Sequence, residues 1–126
     1  MAIRRTQIAV TPAAGGAGVA TANAVTPDIV DGIIRGVYLE YTDSPPAGTT
    51  DVTIVEKSQD PAVSVLTVTN AATDRWFFPL AQAQNQAAAD ITNQGAPLAV
   101  SDYLKVTIAQ ANNGDGVTAT ILWEER

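Results

Sequence analysis

From Tyr103 to Glu124 the chain alternates apolar and polar residues in two consecutive runs, a pattern that fits strands and no helix. Leu104, Val106 and Ile108 alternate with Tyr103, Lys105 and Thr107; Val117, Ala119, Ile121 and Trp123 then alternate with Thr118, Thr120 and Glu124. A period of two sends every second side chain to the same face, so each run builds a strand with one buried face. Between them, Asn112-Asn113-Gly114-Asp115-Gly116 supplies residues that tolerate positive φ, and the expectation is an antiparallel hairpin. Composition extends the argument to the whole chain. Val, Ile and Thr outnumber Leu, Glu, Lys and Met nearly three to one; the first group fits a pleated surface, the second is the usual helix-forming stock.

Other strands follow from the same reasoning. Ile3 to Val10 reads as a first strand or an extended arm, the Gly/Ala-rich stretch 13–18 as a flexible joint, and Val19 to Thr26 as a second weak strand or an arm on another surface. From Ile33 to Tyr41, the residues Ile33, Val37, Leu39 and Tyr41 are expected on one face, with Gly36, Tyr38 and Glu40 on the other and Arg35 interrupting the apolar side. Asp43-Ser44-Pro45-Pro46-Ala47-Gly48 forms a turn, and Asp51 to Lys57 the next strand. Val63 to Asn70 has apolar residues on both faces and is expected inside a sheet, followed by a turn at Ala71-Ala72-Thr73-Asp74. Arg75-Trp76-Phe77-Phe78 forms a short strand ending at Pro79, while Ala81 to Gln94 has no apolar periodicity and is expected to be a long surface loop. At 126 residues one domain suffices. The expected fold is an all-β, antiparallel β-sandwich, jelly-roll-like, with Ig-like and barrel strand orders left open by the sequence, over residues 28–126, preceded by an extended N-terminal arm or first strands over residues 1–27.

The chain has no histidine and no cysteine. That removes the commonest general base, the thiol nucleophile and the usual zinc ligands, so no enzymatic activity, no catalytic residue, no metal and no cofactor is expected. The carboxylate pairs Asp51 with Glu56 and Asp60 with Asp74 lie at strand ends, where acidic side chains serve backbone amides. A net charge of −6, with seven basic residues scattered along the chain, argues against nucleic acid. No apolar run is long enough for a membrane helix, and the N-terminal segment lacks the compact apolar core of a signal peptide.

Three consecutive aromatics cannot all face one side of a strand, so either Phe77 or the pair Trp76 and Phe78 points outward beside Arg75. Unless both faces of the strand are covered within the domain, an exposed aromatic next to an arginine has the make-up of a protein interface. The interface candidates are therefore Arg75, Trp76, Phe77 and Phe78, with Ile3, Arg4, Arg5 and Ile8 of the N-terminal segment.

The Gly/Ala-rich arm, Gly36-Val37-Tyr38-Leu39-Glu40-Tyr41, Thr49-Thr50-Asp51-Val52-Thr53-Ile54, the aromatic strand closing on Pro79, and the closing hairpin expected from Tyr103 to Glu124 together resemble the small head-decoration (cement) proteins of tailed bacteriophages. The resemblance spans most of the chain. It implies a non-enzymatic virion protein made in the host cytoplasm, bound to the outer capsid surface as a homotrimer, with the major capsid protein as partner. A cell-surface or filament subunit and a carbohydrate-binding β-sandwich module, the latter stacking sugars on Trp76, Phe77 or Trp123, are the alternatives.

Overall fold

The computed structural model describes residues 2–42, 47–70 and 73–126; of the turns expected at 43–48 and 71–74, residues 43–46 and 71–72 lie outside the described residues. Among the described residues there are eleven strands: β1 (Ile3–Val10), β2 (Ala20–Val25), β3 (Val30–Tyr41), β4 (Asp51–Glu56), β5 (Ser64–Val68), β6 (Arg75–Phe77), β7 (Ala81–Gln84), β8 (Asp90–Ala96), β9 (Ala99–Asp102), β10 (Leu104–Ala111) and β11 (Val117–Glu125). The fold is all-β with antiparallel sheets, among them a curled half-barrel. One sheet runs β1-β11-β3-β6, with β9 also on β3; a second runs β2-β10-β4-β5; β7 and β8 pair only with each other.

The two larger sheets share one core. Val37, Leu39, Val117, Ala119 and Ile121 come from the first, Val52, Ile54, Leu104, Val106 and Ile108 from the second. Nearly all of these are Val, Ile or Leu, whose compact side chains fill the space between two pleated surfaces. The chain passes repeatedly between the sheets: β1 to β2, β2 to β3, β3 to β4, β5 to β6, β9 to β10 and β10 to β11 all change sheet.

That last crossing corrects the expected hairpin. β10 pairs with β2 and β4, β11 with β1 and β3, and the two do not pair with each other. Alternation defines a buried face but not a hydrogen-bonding neighbour, and here both buried faces meet across the core. The Asn112–Gly116 connection is fixed by its own contacts: Gly114 N donates to Pro12 O at 2.9 Å, and Asn112 Oδ1 accepts from Gly18 N at 2.9 Å.

A second correction concerns β3. Leu122 faces Gly36 but Trp123 faces Ile34, so Arg35 is an extra residue that breaks the register. Such a bulge shifts the alternation by one. Val30 and Ile34 are therefore the core residues before it, Val37, Leu39 and Tyr41 after it, and Ile33 is only half-buried. Arg35 is turned outward and pairs with Glu124. At Gly32, where φ is +152°, an added Cβ would lie 1.9 Å from Glu124 O, so only glycine permits this approach of β3 to β11.

β5 proves to be an edge strand, not an interior one. Its register slips between Leu66 and Ser64, and this irregularity lets the consecutive Val65 and Leu66 both reach the core. Trp123, a sugar-stacking candidate in the sequence, is 5% exposed and belongs to the core. The segment 81–94, expected as a loop, is a β-hairpin. Its tip is closed by Asn85, whose Oδ1 accepts from Ala87 N and Ala89 N. Neither face of this hairpin belongs to the core, which is why its sequence lacks apolar alternation.

Acidic side chains hold the corners between sheets. Asp102, where β9 passes into β10, accepts backbone N–H groups from Ser58, Gln59 (3.2 Å) and Tyr103 (2.7 Å). Glu56, buried, accepts from Val63 N at 2.8 Å and Ser101 N at 3.0 Å. The hydrogen bond from Ser58, and then those from Tyr103 and Gln59, hold the Asp102 carboxyl below the usual carboxylate range against the opposing effect of burial.

Two predictions follow from this framework. β1 pairs along its whole length with β11, and β2 caps the other sheet on β10. Deleting residues 1–26 removes buried Val10 and half-buried Ile8, each worth up to about 1.5–3 kcal/mol, and strips both ladders. Against a total stability of about 5–15 kcal/mol, the truncated chain is expected to lose its cooperative thermal transition in calorimetry. For Asp102, a folded-state pKa below the unfolded one means that its contribution is complete above the unfolded pKa, near 4, and is lost as pH falls through the folded value. Asp102→Asn is expected to lower Tm at pH 7 and to flatten the dependence of Tm on pH between about 5 and 3.

Candidate protein-binding face

β3 carries two short strands along the edge away from β11. β6 pairs with its later part, Val37 with Phe77 and Leu39 with Arg75, and β9 with its earlier part, Val30 with Asp102 and Ile33 with Ala99. Both run antiparallel to β3, so together they amount to one edge strand that is interrupted between Phe77 and Ala99. The chain leaves the sheet at Phe78, forms the β7–β8 hairpin, and returns where Ile34 N donates to Leu98 O at 2.9 Å.

This exit decides which aromatics are exposed. Phe77 lies opposite Val37 and packs, half-buried, against the core. Trp76 and Phe78 therefore take the outer face, 38% and 70% exposed. Trp76 lies opposite Tyr38, with ring centroids 5.3 Å apart and planes tilted by 51°; Phe78 lies beside Trp76 at 6.1 Å with planes only 13° apart. Beneath them is Gly36, where an added Cβ would come within 3.3 Å of the Trp76 ring and 3.4 Å of Phe78. The glycine thus gives the aromatic rings a floor. Leu80 continues the face at 61% exposure and rests on Gly95 of the hairpin, where an added Cβ would meet its side chain at 2.8 Å. The Arg75 guanidinium sits 4.9 Å from the Phe77 ring centroid, within cation–π range.

Of the eight interface candidates read from the sequence, Arg75, Trp76, Phe77 and Phe78 stand together here. The other four are on β1, at the opposite edge of the same sheet. Ile3 is 60% exposed, Arg5 is exposed, Ile8 packs half-buried against the core, and Arg4 is paired with Glu125 at 2.8 Å. The structure does not bring the two groups into one surface. Gly36, Tyr38, Leu80 and the hairpin were not singled out by sequence reasoning. One available signal was charge: between Trp76 and Ser101 the only charged residue is Asp90.

Three of the four acids in the two carboxylate pairs, Asp51, Glu56 and Asp74, serve the backbone. Asp51 accepts from Asn70 N (2.9 Å) and Gln110 Nε2 (2.7 Å), Asp74 from Tyr41 N (2.9 Å), and Glu56 as described above. Asp51 and Glu56 stand at opposite ends of β4. Among the described residues no group of three or more acidic side chains could hold a metal. A cleft of about 790 Å³ opens between Ala2, Gly32, Ile33, Ala99 and the end of β11. The charges at its rim are already matched, Glu124 with Arg35, Glu125 with Arg4 and Arg126 with Asp31. Tyr41 is enclosed in the core, and burial, with the nearby Asp74 charge, pushes its phenol up to about 12. It stays protonated at neutral pH.

The floor at Gly36 yields a prediction. Gly36→Val adds volume directly under the Trp76 and Phe78 rings and is expected to cost about 1–3 kcal/mol in urea unfolding. Near-ultraviolet circular dichroism should lose the Tyr38–Trp76 contribution while the buried Trp123 keeps its own.

No protein-family model, no curated protein and no solved structure matches this chain.

Proposed function

We propose that this protein is a non-enzymatic structural component of a virion that decorates and stabilises the outer surface of an assembled capsid. Its partners in this reading are copies of itself, as a trimer, and the major capsid protein. Its architecture is then a β-sandwich of jelly-roll type. Support for the sandwich comes from the single core shared by two antiparallel sheets, and support for the jelly roll from a chain that changes sheet at most of its connections.

The observation that carries the functional reading is the face made by Trp76, Phe78 and Leu80, which the fold leaves uncovered beside a hairpin almost without charge. Exposed apolar patches of this kind mark interaction sites, and interface centres are rich in aromatics and poor in charge. The acidic groups described above are occupied by backbone amides and ion pairs, which leaves surfaces, rather than a reactive cluster, as the means of action. A decoration protein repeats one modest contact many times over a shell, so avidity supplies what each contact lacks.

A carbohydrate-binding module is the second reading. It draws on the nearly parallel Trp76 and Phe78 rings, a pair on which sugar faces can stack.

Co-sedimentation with shells of the major capsid protein tests the first reading. Saturable binding, with shells that withstand higher temperature when decorated, is expected; a chain that stays in the supernatant at micromolar concentration overturns it. Titration with soluble oligosaccharides, followed by Trp76 fluorescence, tests the second. A saturable change there, without shell binding, would replace the first reading by the second.

A further inference from the structure

β1 is the outer strand of its sheet, and its eight residues pair with β11 without a register shift. The other edges of the two larger sheets are broken: the edge beyond β3 by the excursion between β6 and β9, β5 by its slip against β4, and β2 by the shift opposite Ile108 and Ala111. Backbone parity fixes which groups of β1 face outward. Glu125 N donates to Ala2 O at 2.8 Å, so these two residues form a hydrogen-bonded pair. Such pairs alternate along an antiparallel ladder, which gives the main-chain groups of Arg4, Thr6, Ile8 and Val10 to β11 and turns those of Ile3, Arg5, Gln7 and Ala9 away from it. The side chains of these four are exposed, and among the described residues their main chain bonds to no other segment. A row of donors and acceptors at this spacing is matched by another extended polypeptide.

We propose that this edge pairs with the same edge of a second copy, antiparallel about a two-fold axis at Thr6, so that the two five-stranded sheets become one. The contact is two-fold, so it is separate from the trimer of the reading above and does not rest on it.

Self-complementarity selects a second copy. An axis at Thr6 sets Ile3 against Ala9 of the second copy and Arg5 against its Gln7, and the reverse, so every outward-facing residue meets another and exchanges two main-chain hydrogen bonds with it. The side chains agree. Arg5 has no carboxylate within ion-pair distance among the described residues. Gln7 Nε2 donates to Thr120 Oγ1 at 2.8 Å, which leaves Oε1 to accept. In this register the Arg5 guanidinium of each copy donates to Gln7 Oε1 of the other. An axis at Arg5 would instead oppose two arginines, and one at Gln7 would set Arg5 against Ala9, which offers no side-chain acceptor.

Light scattering over a dilution series of the full chain tests the pairing. Wild type is expected at an even multiple of the chain mass. Ala9→Pro removes an outward N–H and sets a ring on the edge while sparing the β11 ladder, so the mass should halve with the thermal transition retained. Gln7→Glu, which offers Arg5 of the second copy a carboxylate, should tighten association several-fold in a salt-sensitive way, and Gln7→Lys should weaken it several-fold. These exposed substitutions read the same contact should Ala9→Pro fail to fold. A wild type that is monomeric at every concentration, or an odd-numbered oligomer, overturns the proposal. So does an even oligomer whose mass is unchanged in folded Ala9→Pro, or whose association is the same in Gln7→Glu and Gln7→Lys. Shell co-sedimentation of these variants keeps the questions apart: variants that have lost the two-fold contact and still bind shells leave the decoration reading standing, and a wild-type dimer that binds none leaves this inference standing without it.

Discussion

The ladder between β3 and β11 is the constraint on which the rest of the fold depends. These two strands form the middle of the five-stranded sheet, and every other strand of that sheet pairs with one or other of them. Their close approach requires Gly32 at one end, where any side chain would collide with the carbonyl of Glu124. At Arg35 the register breaks, and the break is functional for packing: it hands the core from Ile34 to Val37 while turning a charge outward to Glu124. Without it, a regular alternation that keeps Val37, Leu39 and Tyr41 in the core would send Arg35 inward as well and turn Ile34 out.

Around this ladder the protein uses its acids to terminate strands. A chain that changes sheet at most connections leaves backbone amides at the corners with no ladder partner, and a buried N–H without an acceptor is costly. Asp102 and Glu56 meet that need on both sides of the Ser58–Val63 segment, and Asp74 and Asp51 do the same at the ends of β3 and β4. Acidic residues at strand ends are thus a consequence of the topology. The same residues account for some of the negative charge that makes the uncharged face stand out.

The sequence was informative about faces and poorly informative about neighbours. The buried residues Val52, Ile54, Leu104, Val106, Ile108, Ala119 and Ile121 fall where period-two alternation puts them. That β10 and β11 belong to different sheets is invisible to alternation, because pairing is decided by which strand covers which backbone edge. The Val65 and Arg35 irregularities were misread for a related reason: an extra residue looks locally like a second apolar face or a flaw in the first. The hairpin at 81–96 escaped notice because alternation reports burial, and this ribbon has no buried face of its own. In the candidate face, three adjacent aromatics were legible, but their division between core and surface was not; that depended on Phe77 standing opposite Val37.

An interrupted edge strand also has a physical logic independent of any partner. A continuous edge from Arg75 to Asp102 would present a long row of unpaired amides and carbonyls, a template for indiscriminate strand addition. Splitting it into three-residue β6 and four-residue β9 shortens that row, and Trp76 of β6, with Phe78 where the chain leaves the sheet, covers Gly36. The interruption replaces main-chain recognition, which any extended chain can satisfy, with side-chain recognition, which needs a matching surface. In the assembly proposed above, association in one way at high local density would gain specificity from that exchange.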